Sequence, residues 1–296
     1  FWGDESLNLA ISQNLYAAFF KGELIANHPP LPYILLAFWR FIGMGYNEWT
    51  LRGLPFLFGV MGVVAIFWFA KKLFGSKVGL LAALLLAISP FHVLHSQDLK
   101  EYIYLPFLTT ATAGFFYCGV EENKGKCWFL YGLFAGLCCY AEAFAAPFLL
   151  VLNLWFLIQL PAKRSHFKGW FFSNLFGALL FLPWLGIMLN RVHMFLVTAE
   201  HWWIPWPNLW SVLFYFKTIA YGYTSTKPFF YLAFVLFAVA AVAGSIVAIY
   251  KNPRAAILLI LWATLPVAII FSLSYFGQSI FLIRAMLPYS LAVYIL

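Results

Sequence analysis

Asp4 and Glu5 are adjacent carboxylates in a chain of 296 residues of which only 9% are charged. A carboxylate at a membrane surface can accept the proton of an attacking hydroxyl, so the Asp4-Glu5 pair is a candidate general base. The same pair at a helix start also complements the helix dipole, an effect worth about 0.3–1 kcal/mol. A second concentration is Ser96-Gln97-Asp98-Leu99-Lys100-Glu101-Tyr102, which follows Ser89-Pro90-Phe91-His92 and puts acid, base, amide and phenol into one turn. Asp98 and Tyr102 are candidates there for holding a polar substrate, although a turn at the end of a membrane span is also polar for solubility. His92, His95 and Asp98 repeat every three residues, a spacing that can ligate a divalent metal, here without a thiolate. Arg52, Lys100 and Arg284 flank apolar stretches. Snorkelling to headgroups is one use of such cations, and clamping a phosphate is the other, which suits a guanidinium best. Glu142 sits inside a long apolar run, where a carboxylate is costly unless it is functional or the helix bends there. The stretch His201-Trp202-Trp203-Ile204-Pro205-Trp206-Pro207 is either an aromatic membrane belt or a platform for stacking a sugar.

These side chains need a scaffold, and composition identifies it. Hydrophobic residues make up 64% and the mean hydropathy is +0.87, whereas a soluble domain has roughly 25% charged residues. The expected fold is all-α, a polytopic transmembrane helical bundle. The net charge of +8 falls in short clusters between apolar runs, which is the signature of membrane orientation and argues against a nucleic-acid partner. Cys118, Cys127, Cys138 and Cys139 lie in apolar runs or beside basic loops, so they read as packing residues with no disulfide framework.

Residues 4–24 predict an amphipathic helix in the membrane interface, with Leu7, Ile11 and Leu15 on its apolar face and Asn8, Ser12, Gln13 and Asn14 elsewhere. His28-Pro29-Pro30 breaks the chain before a second short helix to Phe41, and a third starts near Asn47. Apolar runs long enough to cross a bilayer follow at about 53–70, 78–95, 102–120, 128–141, 143–160, 170–189, 229–250 and 255–276, with another starting near 285. The split between the fourth and fifth is placed at Glu142. Lys71-Lys72, Lys124, Lys163-Arg164 and Lys251 then share one side, which the positive-inside rule makes cytoplasmic. The acids Asp4, Glu5, Glu23, Glu48, Asp98, Glu101, Glu142 and Glu200 share the opposite, external side. Residues 1–296 thus read as a single transmembrane domain, with 1–52 as an external loop of interfacial helices. An upstream helix and a C-terminal region are expected beyond Phe1 and Leu296.

Seven pieces of sequence occur in a family's order: Phe1-Trp2-Gly3-Asp4-Glu5, His28-Pro29-Pro30-Leu31, Leu51-Arg52-Gly53-Leu54-Pro55, Ala70-Lys71-Lys72-Leu73-Phe74-Gly75, Ser89-Pro90-Phe91-His92, Ser96 through Tyr102, and Arg284-Ala285-Met286-Leu287-Pro288. The chain resembles the protein O-mannosyltransferase-like family, which includes dolichyl-phosphate-mannose protein mannosyltransferases and lipid A aminoarabinose transferases. Many members have Arg where Lys100 stands and Arg-Tyr where Arg284-Ala285 stands. The resemblance implies the C-type glycosyltransferase fold, a polyprenyl-phosphate-linked sugar as donor, and an Asp-Glu pair in the first external loop. Expected partners are that donor, an acceptor protein, lipid or glycan, and membrane lipids. Glycosyl transfer from a lipid phosphate needs a base and positive charge for the leaving group. The expected roles are catalytic for Asp4 and Glu5, phosphate-binding for Arg52, Lys100, Arg284 and His28, and substrate-binding for Asp98, Tyr102 and Glu142. The chemistry requires no cofactor, with a divalent metal as an option. A transporter, or a non-catalytic membrane subunit of the same fold, is the competing class.

The orientation is tested by single cysteines on a cysteine-free background in intact cells. An impermeant thiol reagent should label a cysteine at Asp98 and spare one at Ser76; external labelling at Ser76 overturns the assignment.

Overall fold

The computed structural model describes residues 3–21, 29–45, 47–197, 203–223 and 228–296. Among them, all regular structure is helical. The stretch ahead of the bundle holds α1 (Gly3–Gln13) and α2 (Leu31–Trp39). The bundle comprises α3 (Glu48–Phe74), α4 (Ser76–Ile88), α5 (Pro90–His95), α6 (Tyr104–Glu122), α7 (Gly125–Ala141), α8 (Ala145–Gln159), α9 (Phe167–Val197), α10 (Leu209–Tyr221), α11 (Pro228–Lys251), α12 (Pro253–Leu273) and α13 (Leu287–Ile295). Among the described residues, five helical segments are long and apolar enough to cross a membrane: Glu48–Phe74, Glu101–Glu122, Arg164–Asn190, Phe230–Lys251 and Pro253–Leu273. The chain is an integral, multi-pass membrane protein.

Helix α6 is the axis of the bundle, packed by α3, α7, α8 and α13. Its small and hydroxylated residues let those neighbours close in, and the buried hydroxyls of Thr109 and Thr112 donate back to the carbonyls of Leu105 and Leu108, both at 2.6 Å. Helix α11 is the opposite case. Only 6% of its apolar window is buried inside the protein, so that surface suits lipid.

Several boundaries differ from the periodicity for local reasons. The third interfacial helix and the first span are one element, α3, capped by Asn47, whose side chain accepts from Thr50 N at 2.9 Å. The run 78–95 is two helices, because Ser89 precedes a proline and is held extended (φ −63°, ψ 119°); its hydroxyl meets Tyr294 of α13 at 2.7 Å. Helix α10 forms inside what reads as a long loop, capped by Asn208 on Ser211 N at 3.1 Å. Helices α7 and α8 do meet at Glu142, which is extended (φ −164°, ψ 141°). The cysteine reading needs correction, since Cys118 and Cys127 form a disulfide. The α6–α7 hairpin, turned by Asn123 at φ 49°, brings their Cα atoms to 5.8 Å, within the range a disulfide spans.

The largest departure is α1. It stops at Gln13, where Asn14 breaks the helix and its side chain accepts from Ala17 N at 3.0 Å. Its buried face is Glu5, Asn8, Ile11 and Ser12, while Leu7 is exposed. A stripe that is largely polar therefore faces inward, and the reason is a partner with exposed peptide groups: Asn8 Nδ2 donates to Leu99 O at 2.7 Å. Asn8→Ala should therefore lower the melting temperature in detergent, losing about 1–3 kcal/mol for the stranded carbonyl, while Leu7→Ala changes it little. The reverse ranking would restore the lipid-facing amphipathic helix.

Candidate functional site

The site is built on the turn between α5 and α6. The peptide of Leu99 is held from both sides by α1, with its N–H donating to Glu5 Oε1 at 3.0 Å and its carbonyl accepting from Asn8. Glu5 is itself only 1% exposed and is neutralised by Arg52 of α3, Nη2 to Oε2 at 3.0 Å. Arg52 also donates through Nη1 to Gln97 O and through Nε to Glu48 at 3.0 Å. Close approach of α3 to the end of α5 requires glycine at position 59, where a Cβ would fall 2.7 Å from the Cβ of Ser96. Fixing residue 99 on both sides orients its two neighbours, Asp98 and Lys100, into a cavity of about 460 Å³.

Asp4, Lys100 and Arg284 meet in that cavity. Lys100 Nζ lies 2.9 Å from Asp4 Oδ2 and Arg284 Nη2 lies 3.8 Å from the same oxygen. The Arg284 guanidinium is sandwiched between the rings of Tyr102 and Trp203, its carbon 5.5 Å from each centroid. Stacking fixes the plane of the fork and leaves its N–H edges for an anion. Glu5, His95, Asp98 and Tyr102 complete the polar lining. Tyr223 packs behind, edge-on to His95; burial raises its phenol above the ordinary tyrosine range, so it stays a neutral hydroxyl.

The structure thus brings together Asp4, Glu5, Lys100, Arg284, Asp98 and Tyr102. It does not bring Arg52 into the cavity, because its donors turn to Glu5, Gln97 and Glu48. A guanidinium with a buried carboxylate in reach is captured by it. Glu142 does not line the cavity either; it is buried at the α7–α8 break, accepts from Ala143 N at 2.9 Å, and acts electrostatically on Tyr102 and Tyr289. His28 lies outside the described residues, as do Glu23, Glu200, His201 and Trp202. Of the metal-spaced set His92, His95 and Asp98, His92 turns its Nε2 to Gly59 O, 3.1 Å away, and Nδ1 of His95 lies 3.5 Å from Asp98 Oδ2. Among the described residues, Cys118, Glu122 and Cys127 also cluster, at the other end of α6 about 27 Å of helix away, where the disulfide takes both thiols. Two contributors escaped the sequence reading of the cavity. His95 appeared only as a possible metal ligand, and Trp203 only as belt or sugar platform.

Beside this polar cavity lies a larger apolar one of about 620 Å³, formed by α10, α11 and the strand of chain before Arg284. Trp210, Phe214, Tyr231 and Phe281 line it, with Lys217 as its cation. Ile283 faces this groove while the next residue, Arg284, faces the polar cavity.

The family described as dolichyl-phosphate-mannose-protein mannosyltransferase matches residues 27–187, more than half of the chain. No curated protein matches it. The crystal structure of ArnT from Cupriavidus metallidurans in the apo state aligns with a TM-score of 0.69 at 16% identity, covering 98% of this chain and 53% of that one. The same protein bound to undecaprenyl phosphate aligns with a TM-score of 0.66 at 17% identity, covering 99% and 54%. The chain spans about half the length of these structures, and the likeness establishes a C-type glycosyltransferase fold.

The two guanidinium groups should separate experimentally. Arg52→Lys should lower the melting temperature, because one ammonium cannot serve Glu5, Gln97 and Glu48 at once. Arg284→Ala should leave melting nearly unchanged and weaken undecaprenyl phosphate binding about tenfold or more, with Arg284→Lys between. Equal affinity in wild type and both Arg284 variants removes that residue from anion binding.

Proposed function

Because this chain belongs to the dolichyl-phosphate-mannose-protein mannosyltransferase family, we propose that it is the membrane domain of a glycosyltransferase that takes a sugar from a polyprenyl-phosphate carrier. The sugar passes to a hydroxyl or phosphate of a protein, lipid or glycan at the external face. The observation that carries the reading is the convergence of Lys100 and the ring-stacked Arg284 on Asp4 in one cavity. Two cations beside one carboxylate form a receptor for a monoanionic phosphodiester, and the adjoining apolar groove suits an isoprenoid chain. That the related fold of ArnT has been seen with undecaprenyl phosphate supports the same class of ligand here.

The mechanism follows from charge. Before the donor arrives, Asp4 is tied to both cations. An entering phosphate competes for Lys100 and Arg284, and the carboxylate they release becomes available as a base. Asp4 then takes the proton of the acceptor hydroxyl as its oxygen bonds to the anomeric carbon. The bond from that carbon to the phosphate oxygen breaks with its electron pair leaving on the phosphate, and configuration inverts. Glu5 holds the loop through Leu99 and stays bound to Arg52. Asp98 and Tyr102 contact the sugar or the acceptor.

Asp4→Asn keeps size and helix capping but removes proton acceptance. In membranes of the full-length protein supplied with polyprenyl-phosphate mannose, turnover should fall by about 10²–10⁴ with donor affinity nearly kept. A folded variant with wild-type turnover excludes Asp4 as the base.

A further inference from the structure

The Cys118–Cys127 disulfide lies at the end of α6 opposite the polar cavity and takes no part in sugar transfer. Cys118 stands near the end of α6, and Cys127 is the third residue of α7. Each is 8% exposed, whereas Cys138, deeper in α7, is fully covered. The carboxylate of Glu122 comes within 4.8 Å of both sulfurs, and its charge is more than offset by Lys72 and Lys124, with Nζ atoms at 2.9 and 2.6 Å from its oxygens. The hairpin does not depend on the covalent bond. Asn123 turns the chain at φ 49° and accepts from Trp128 Nε1 at 3.1 Å, and that indole lies so close to Gly119 that a Cβ there would fall 2.7 Å from it. The two sulfurs therefore stay neighbours when the bond between them is broken. The basic loops are expected to set this end in the cytoplasm, where small thiols keep cysteines reduced and a disulfide is transient.

We propose that the Cys118–Cys127 pair is a reversible thiol–disulfide exchange site for small cytosolic thiols of the glutathione class, a dithiol in the resting cell and a bridge under oxidation. It rests on the sidedness expected from the basic loops and is independent of the carrier reading. In the opening direction a small thiolate attacks the Cys118 sulfur. The Sγ–Sγ bond breaks, its electron pair leaves on Cys127, and a mixed disulfide joins Cys118 to the small thiol. A second thiolate attacks the small thiol's sulfur in that mixed disulfide, which releases the Cys118 thiolate and an oxidised dimer of the small thiol. Two electrons thus pass from two small thiols to the bridge, and the two protons those thiols give up end on Cys118 and Cys127. Cys127 is the leaving group because the first turn of α7, with Lys124 and Lys126 beside it, stabilises a thiolate there, and the better-stabilised thiolate leaves faster. Closing reverses these steps, with the oxidised dimer as the oxidant and Cys127 as the attacking thiolate.

The full-length protein in detergent is equilibrated with reduced glutathione in about hundredfold excess over the oxidised form, quenched in acid and alkylated. Peptide masses should show Cys118 and Cys127 alkylated in most molecules, and transfer to oxidised glutathione alone should close the bridge again, with the helical circular-dichroism signal unchanged throughout. Two variants test the assignment of the leaving group. Cys127 in Cys118→Ser should react with N-ethylmaleimide about tenfold faster at about pH 7 than Cys118 in Cys127→Ser. In cells quenched in acid before lysis, the pair should be a dithiol and become a disulfide after brief treatment with diamide. A bridge that opens only when the helical signal is lost overturns the proposal, as do equal alkylation rates in the two variants. A pair fully oxidised in untreated cells overturns it too, and rejects the cytoplasmic sidedness with it.

Discussion

The buried carboxylate of Glu5 is the constraint on which the site depends. Burying it is tolerable only because Arg52 and the Leu99 N–H complete its hydrogen bonds, and losing a partner of such a pair costs about 3–5 kcal/mol. Three separate stretches of chain are thereby locked together: α1 through Glu5, α3 through Arg52, and the α5–α6 turn through Leu99 and Gln97. The polar cavity lies where they meet. Without that lock, Asp4 on one element and Lys100 on another would have no reason to stand 2.9 Å apart.

The membrane bundle supplies what the lock cannot, a rigid platform under the turn. Helix α6 begins directly after the 3₁₀ turn Glu101–Ile103, so the turn's far end is anchored in the most buried of the five long apolar helical segments described. Tyr215 and Tyr294 tie α10 and α13 to the same region through Met286 O at 3.2 Å and Ile219 O at 3.0 Å. Arg284 enters from that side on a short 3₁₀ turn before α13. Polar chemistry is thus confined to one end of the bundle, with an apolar groove opening beside it. That arrangement fits a ligand with an anionic head and a long hydrocarbon tail.

Much of this was legible in the sequence. Run lengths and basic loops gave the bundle, and the cost of Glu142 in an apolar run marked the α7–α8 break. Asp4, Lys100, Asp98, Tyr102 and Arg284 were chosen by residue type in a chain poor in charge, and they do meet. What was not legible depends on partners far along the chain. Asn8 and Ser12 read as a solvated face because periodicity carries no information on whether the neighbour is lipid or exposed peptide. Arg52 and Arg284 were equivalent as guanidinium groups beside apolar stretches; only the fold decides that one meets a buried carboxylate and the other two aromatic rings. His95 read only as part of a metal spacing, because spacing along the chain cannot reveal that its ring packs against Phe91, Tyr102 and Tyr223 at the cavity. Cys118 and Cys127 are nine residues apart, and their pairing follows from the Asn123 turn that folds α7 back on α6.

Adjacent carboxylates with different fates follow from helix geometry. Successive residues of an α-helix are rotated by about 100°, so Asp4 and Glu5 cannot share an environment when one face of α1 is docked. Glu5 takes the docked face and becomes structural. Asp4, its side chain 57% exposed, is left at the rim of the cavity, where Lys100 and Arg284 pair with it. A neutral sugar gains little by disturbing that arrangement, because it offers nothing to compensate the broken ion pairs, whereas a phosphate offers a replacement anion to both cations at once. On the function proposed above, the group that leaves would also be the group that exposes the base, and selection of a phosphate-linked donor would come from the same pair of contacts.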